Sequence, residues 1–516
     1  MRFLRALFSA AACLALVGHA FAQPGQDSDR PTSALVYPGE DGRVVYVPDD
    51  NGNCIPDFSN CGYMGGGVRI PDVPVKVTLR PAEGDDGARI QAAIDAVAEL
   101  PVNADGFRGA VLLKRGTYEI AGTLKIAHGG IVLRGEGQGE DGTVLVAAET
   151  GKRTLITIAG EDKRAEVPET RRRITDSYVP VGARSFHVDG TPGLKVGDTV
   201  VVLRPSTDEW IHYLGMDRIP PRRDGGRVTQ WRPGSKDLRF DRVITAIEGK
   251  KVTIDAPLCN ALERKYGGGY IYKYDFPGRI EQVGVEYIRG VSEFEHETDE
   301  DHAWNFIGLR AVANAWVRQV TAVHFGYSAV GVSRRCKWIT VEDCACLDPV
   351  SRITGSRRYS FALTGELTLV QRCYARHGRH DFVMHSVVPG PNAFLDCTAE
   401  QAHSDTGPHH RWSTGTLFDN VRVQGNGINV RNRGNSGTGH GWAGAQMVFW
   451  NCTADSITCQ RPPTAQNWAI GCVSEKRSGD GYWESFGQPV RPWSLYLAQL
   501  RDRLGPEAVA NISDAK

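Results

Sequence analysis

Net charge is what this sequence lacks: 60 lysines and arginines balance 60 aspartates and glutamates. A nucleic-acid-binding chain normally shows a basic excess, so that class of partner is not expected. After the first two dozen residues no apolar run reaches the roughly 18 residues that a membrane-spanning helix needs, and no membrane span is expected. No C-x-x-C pair has zinc-finger spacing, and no D-x-D-x-D-G loop marks a calcium site. What the chain has in plenty is glycine, 59 of 516 residues, the mark of many turns.

The start, "MRFLRALFSAAACLALVGHAFAQ", joins two arginines, an apolar run and Ala20-Phe21-Ala22 before Gln23. This reads as a secretory signal over 1–22, and the mature chain is expected to be secreted or periplasmic. A lipoprotein reading at Cys13 is weaker, because "SAAAC" lacks the usual leucine. Loss of Arg2 and Arg5 leaves 58 basic against 60 acidic residues. Eleven cysteines remain, an odd number in a compartment that permits disulfides. Cys54 with Cys61, and Cys459 with Cys472, are the candidate pairs.

The other cysteines carry a repeat. "VRQVTA", "VEDCAC", "VQRCYA", "FLDCTA", "FDNVRV" and "FWNCTA" align at Val320, Cys344, Cys373, Cys397, Val421 and Cys452, with steps of 24, 29, 24, 24 and 31 residues. Each segment alternates with period two and ends in a Gly-, Pro- or Asn-rich connection, so the repeat is a strand and not a helix. A repeat of this length is a solenoid. A coil of about 24 residues suits a parallel β-helix, with equivalent positions stacked about 4.8 Å apart. The cysteines then form an inward column of reduced, packing side chains.

Before the repeat, "GDDGARIQAAIDAVAEL" places Asp86 at a helix start, with Ile90, Ile94 and Val97 on one face. An open solenoid end needs such a cap. "PWSLYLAQLRDRLG" is the candidate helix for the other end. Between 163 and 280, "YVPVGARSFHVDGTPGLKVGDTVVVLRP" and "DRVITAIEGKKVTIDAPLCNAL" read as antiparallel hairpins. The expected organisation is an extension over 23–75, a helical cap and first coils over 76–162, and an inserted β-domain or elaborated rungs over 163–280. Main coils follow over 281–475, then a tail with a capping helix over 476–516. Within the insert, "STDEWIHYLGMDRI" holds Trp210, His212 and Tyr213, which either pack the hairpins or wall a cleft.

The segments "GDDGARIQAAIDA", "GAVLLKRGTYEI" and "GIVLRGEG" resemble the opening of the pectate-lyase superfamily over residues 76–160. The resemblance implies an all-β, right-handed parallel β-helix, and proteins of this kind usually bind or cleave polysaccharides outside the cytoplasm. Fold alone does not fix function.

Polar residues also fall in register. In the coils of Cys373, Cys397 and Val421, offset six gives Arg379, His403 and Gly427. Offset eight gives Asp381, Asp405 and Asn429, and offset twelve His385, His409 and Arg433. Stacked coils would make these three ladders on one side, although a slip of one residue reverses a side chain. Two aspartates about 5 Å apart would raise one pKa unless a cation intervenes, and such coupled clusters mark functional sites. His410, Arg411 and Trp412 in "AHSDTGPHHRWSTG", and Arg431, Asn432, His440 and Trp442 in "NVRNRGNSGTGHGWAGAQ", extend the face. "SEFEHETDEDHAWN" adds His302 and Trp304. Its acidic run allows calcium, although a solvated loop is the simpler reading. A zinc or copper site from His385, His403 and His409 is a further alternative, and no metal ligands are assigned.

The candidate catalytic set is therefore His403, Asp405, His409, His410, Arg411, Arg433 and His440. The candidate substrate-binding set is Arg379, Asp381, His385, Trp412, Asn429, Arg431, Asn432, Trp442, His302 and Trp304. This inventory suits β-elimination on an acidic polysaccharide: an arginine neutralises the uronate, and a histidine removes the adjacent proton. The alternatives are a glycoside hydrolase using Asp381 and Asp405, or a non-catalytic polysaccharide-binding solenoid. The calcium-aspartate and arginine pattern of the best-known pectate lyases is absent. "GHG" at 439–441 matches a polygalacturonase tripeptide, but the N-x-D, paired-aspartate and R-x-K motifs around it are missing.

Overall fold

The computed structural model describes residues 30–513; the expected signal segment lies outside them. Three parallel ladders wind the chain into a right-handed β-helix. The first runs from Val75–Leu79 through Gly109–Leu113 and Ile131–Arg134, and on by way of Lys337–Glu342, Glu366–Gln371 and Asn392–Leu395 to Tyr482–Glu484. The second passes through Ala345–Leu347, Tyr374–Arg376 and Thr398–Glu400. The third includes Asn305–Arg310, Ser328–Val332, Phe361–Leu363, Phe382–Met384 and Gly407–Pro408.

The second ladder pairs Thr321 with Ala345, then Tyr374, Thr398, Arg422, Thr453 and Val473. The residues just before these are Val320, Cys344, Cys373, Cys397, Val421, Cys452 and Cys472, so the column read from the sequence is the column in the fold. One position earlier stand Gln319, Asp343, Arg372, Asp396, Asn420 and Asn451, all with φ between 47° and 54°. This is the left-handed region, which turns the chain sharply from the first ladder into the second. Asn and Asp tolerate it best among residues with a Cβ, which accounts for the Asp or Asn at four of these six corners. At the last corner the residue is Gly471, φ 67°, where an added Cβ would meet Asn451 Oδ1 at 2.1 Å.

The thiols bond backbone carbonyls around the bend. Cys344 Sγ donates to Glu342 O at 3.1 Å and Cys452 Sγ to Phe418 O at 3.1 Å, with Cys373, Cys397 and Cys472 bonded in the same way. Burial pushes the Cys344, Cys373 and Cys452 thiols far above their usual range, which makes them inert. All eleven cysteines from Cys54 to Cys472 are free. The expected pairs are not formed: Cys61 is buried in a second apolar cluster, while Cys54 bonds Val181 O at 3.7 Å.

The amphipathic helix Gly87–Ala98 packs Ile90, Ile94 and Val97 into the first coil and caps it. The C-terminal helices Leu495–Leu504 and Pro506–Ser513 do not close the far end. They lie along the side of the first ladder, over its outward apolar residues Leu369, Leu417, Val448 and Ile470, together with Ile55 and Phe58. An outward face this apolar must be covered, and that need outweighs the end of the coil. At the far end Trp483 packs against the core, with Phe486 at 5.8 Å and Arg477 over both rings.

Strands between Ala165 and Asp275 form an antiparallel sheet beside the solenoid, with Thr199–Arg204 between Leu238–Glu248 and Tyr270–Asp275. A buried ionic knot fastens it. Asp241 bonds Lys337 Nζ at 2.6 Å, Arg279 at 2.7 Å and Tyr274 Oη at 2.7 Å, while Arg242 reaches Glu366 at 2.6 Å. Buried charges persist only when paired in this way.

The corner geometry has a direct test. Gln319→Val places a β-branched residue at φ 47° and is expected to cost about 1–2 kcal/mol, whereas Gln319→Gly stays within about 1 kcal/mol of the native chain. Urea melts read both, and equal midpoints for Val and native would reject the corner as a constraint. Reductant is expected to leave the native midpoint unmoved.

Candidate functional site

The third ladder carries the site at its strand ends. Tyr359 precedes Phe361–Leu363; His380 and His385 flank Phe382–Met384; Asp405, His409 and His410 flank Gly407–Pro408. Arg433 and His440 come from the glycine-rich segment after Val430. Phe361 pairs with Phe382 and Val383 with Gly407, so three successive coils deliver these side chains to one place.

The rings form a connected cluster. Centroids of His380 and His409 are 4.5 Å apart, His409 and His440 4.9 Å, His409 and His410 5.0 Å, and His385 and His410 5.6 Å. Tyr359 stands 5.1–5.4 Å from His380, His385 and His409, and its hydroxyl lies 3.2 Å from His409 Nε2. Tyr327 Oη meets His385 Nε2 at 3.1 Å and Ser386 Oγ meets His410 Nδ1 at 2.9 Å.

Two tiers are distinct. His380 (1 % exposed), Tyr359 (4 %) and His409 (7 %) are buried. His385, His410 and His440 are half-buried and form the outer tier. His380 Nδ1 lies 2.5 Å from the Asp405 carbonyl. A carbonyl only accepts, so Nδ1 carries the proton and Nε2 keeps its lone pair. His380 Nε2, His409 Nδ1 and His440 Nδ1 are buried without a protein partner.

Charge explains the protonation states. Burial, and then the neighbouring cations, lower His380, His385 and His440 to about 4, and His409 and His410 further still. All five rings are neutral at pH 7. Asp405 bonds Arg433 Nη1 at 2.5 Å; burial opposes its ionisation, but the Arg433 and Arg431 guanidiniums favour the charged form and hold it below the usual carboxylate range. Lys236 is 8 % exposed, and burial followed by Arg411 and Arg334 lowers it to about 8. None of Lys236, Arg334 and Arg411 has a carboxylate partner among the described residues.

The cluster thus gathers Asp405, His409, His410, Arg411, Arg433, His440 and His385 from the sequence-derived sets. Others fall elsewhere. Asp381 turns inward to Ser360 Oγ at 2.6 Å, where burial pushes its carboxyl up to about 6. It therefore forms no pair with Asp405, and the stacked carboxylates of a hydrolase are absent. His403 is exposed and stacks on His377 at 6.0 Å. Trp412 is fully buried against Trp210 at 4.8 Å and donates to Asn260 Oδ1 at 2.9 Å; it is no sugar platform. Trp442 packs against the same core.

Register explains the displacement of the third column. Thr406 bridges Ile428, a step of 22 and not 24, so Asn429 is carried out of line with Asp405 and is buried. Arg379 is half-buried near His380, and Arg431 and Asn432 are exposed beside the cluster. His302 lies three coils earlier, fixed inside by Ser292 Oγ at 2.8 Å and Val350 O at 2.9 Å. Trp304 lies under the Lys152 ammonium at 4.1 Å.

The calcium and zinc or copper readings find no support. Asp299 accepts from the Glu295 and Asp301 amides, and Glu300 is held by Lys152, Arg352 and Arg357. Among the described residues no three His, Cys, Asp or Glu side chains are arranged to grip a metal ion. His380, Tyr359, Tyr327, Ser386, Arg334 and Lys236 are site residues that sequence reasoning missed. His380 sits at offset seven, between the two columns read as polar; Tyr359 lies within the 29-residue coil between Cys344 and Cys373, whose extra length breaks any fixed offset.

No family model and no curated protein matches this chain. Solved structures do. The tailspike protein gp49 from Pseudomonas phage LKA1 is 15 % identical with a TM-score of 0.39, over 78 % of this chain and 70 % of that one. The gp54 tailspike of Acinetobacter baumannii bacteriophage AP22, solved with a capsular saccharide, is 10 % identical with a TM-score of 0.44, over 78 % and 63 %. A polygalacturonase from Erwinia carotovora ssp. carotovora is 10 % identical with a TM-score of 0.35, over 82 % and 98 %.

The depressed histidines predict acid sensitivity. A folded pKa of about 4 against 6.5 unfolded means that the unfolded chain binds more protons between those values, so stability is full above about 6.5 and falls as pH drops toward 4. Asp381, Glu366, Glu342 and Asp419, raised by burial, slope the other way, but these four carboxyls oppose seven lowered rings, His324 and His403 among them. Thermal midpoints measured across this range are expected to fall on acidification, and to fall less in His385→Gln. A native midpoint flat from pH 7 to 4 would contradict the assignment.

Proposed function

We propose that the protein is an exported polysaccharide lyase that cleaves a uronate-containing glycan by β-elimination at the histidine cluster. The observation that carries this reading is an imbalance. Five neutral imidazoles sit beside three cations that lack a carboxylate partner, while the one local carboxylate is bound to Arg433. A hydrolase needs two carboxyl groups flanking the bond; an elimination needs a base and a cation for the acid group.

In the proposed reaction, Arg411 with Lys236 and Arg334 receives the uronate carboxylate and so acidifies the proton on C5. His410, its Nδ1 held by Ser386, takes that proton with Nε2. The C5–H electron pair forms the C4=C5 double bond as the bond from C4 to the glycosidic oxygen breaks. The His410 imidazolium so formed passes that proton to the departing oxygen and returns to its neutral state, with the neutral His440 ring beside it. The buried tier fixes the geometry: Asp405 sets the His380 tautomer and neutralises Arg433, and Tyr359 orients His409 between the two outer rings. An incoming carboxylate raises the pKa of the outer histidines by adding the opposite charge.

The test is a screen of acidic and neutral polysaccharides for the ultraviolet absorbance of a C4=C5 unsaturated uronate. At least one acidic glycan is expected to give it. His410→Ala and Arg411→Ala are each expected to lower kcat/KM by about 10²-fold or more, with unfolding curves like the native one. New reducing ends without the absorbance would assign a hydrolase instead, and His410→Ala at native rate would remove the proposed base.

A further inference from the structure

A second site is built away from the histidines. Where the N-terminal segment 47–55, the inserted sheet and the late coils meet, a cavity of about 1000 Å³ opens, the size of a ligand cleft. Its walls include Tyr178, Tyr213, Trp468 and Tyr482, with Gln446 and Gln466 between them. Tyr213 is 59 % exposed, a large ring left in water at the end of the helix Asp208–Leu214. Gln446 is only 3 % exposed and its Oε1 has no partner. A buried amide oxygen without a donor is unfavourable by about 1–3 kcal/mol, and this one borders the cavity.

The wall charges are largely committed. Asp49 accepts from the Asn51 and Asn53 amides, Glu263 pairs with Lys265 at 3.4 Å, and Arg264 donates to Thr175 O. Arg461 is a wall cation without a carboxylate partner among the described residues; otherwise, in contrast with the histidine cluster, the cleft presents aromatic rings and amides. Such a lining suits hydroxyl-rich rings with apolar C–H faces: the rings stack on tyrosine, and the hydroxyls supply the donors that Gln446 lacks.

We infer that this cleft is a binding site for neutral sugar residues, separate from the cationic site. It holds a stretch of uncharged oligosaccharide, and its occupancy does not depend on the elimination reaction. Calorimetric titration with tetrasaccharides of β-1,4-glucan, β-1,4-mannan and α-1,4-glucan tests it, using the whole protein. One or more of the three is expected to bind. Tyr213→Ala is expected to weaken that binding about tenfold or more, Tyr213→Phe to restore it, and His410→Ala to leave it native. Tyr213 is exposed, so its removal is expected to leave the unfolding midpoint in place, which the same samples report. Failure of all three sugars to bind, native affinity in Tyr213→Ala, or loss in His410→Ala would each overturn the inference.

Discussion

Everything in this molecule depends on one backbone corner repeated along the solenoid. A residue in the left-handed region, followed by a small inward residue, fixes where each coil leaves the first ladder and enters the second. Because strand side chains alternate, the corner also fixes which residues face the core. A cysteine there does two jobs at once: it packs as a small apolar group, and its weak S–H adds a second bond to corner carbonyls such as Gln371 O and Leu395 O, which also accept from the amides of the neighbouring coil. Valine at 320 and 421 fills the volume without the bond, which shows that packing is the stricter demand.

From the corner outward the coils are free to differ, and the site lies where they do. The first two ladders hold register through six coils, while the third slips by two residues between Thr406 and Ile428. The slip frees the segment after Val430 to leave the surface, and the inserted sheet catches it: Thr229 N donates to Thr438 O at 3.0 Å, Asn435 Nδ2 to Pro221 O at 2.8 Å, and Arg222 Nη1 to Gly437 O at 2.6 Å. Gly441 lies where an added Cβ would strike Met216 Sδ at 2.5 Å. His440 is therefore placed by the insert as much as by its own coil, and the ionic knot of Asp241, Lys337, Arg242 and Glu366 fastens that insert to the solenoid.

The same distinction explains what was legible in the sequence. Corner spacing is local and strict, so aligned cysteines gave the coil lengths without error, and the capping helix followed from its apolar face. Side-chain direction on the third ladder is neither local nor strict. Counting by even offsets caught His385 and His409 but missed His380, and it joined Asp381 to Asp405 although one turns to Ser360 and the other to Arg433. Trp412, Trp442 and His302 looked like recognition residues because they are polar-tipped and crowded. Their ring N–H groups or neighbours are satisfied inside the fold, which composition alone does not reveal. The cysteine pairs inferred from short separations failed because Cys459 and Cys472 pack inside the solenoid, while Cys61 packs in the outer cluster and Cys54 bonds Val181 O.

Five imidazoles held neutral by burial beside uncompensated cations form an arrangement that folding alone would not favour. Each ring loses hydration, only His380 has a carboxylate nearby, Asp405 at 3.7 Å, and three ring nitrogens are left without hydrogen bonds. Lysine at 236 is depressed for the same reason, by burial and by two guanidiniums. A protein core avoids such a set; a site that must receive an anion requires it, because the missing negative charge is what the ligand supplies. Stability thus points to function: the residues that most oppose the fold in isolation are those that a bound acid group would relieve, and the five rings stand together on three successive coils. The knot around Asp241 makes the contrast plain. There every buried charge has its partner in the chain, so that cluster holds two domains together and has nothing left to offer a ligand.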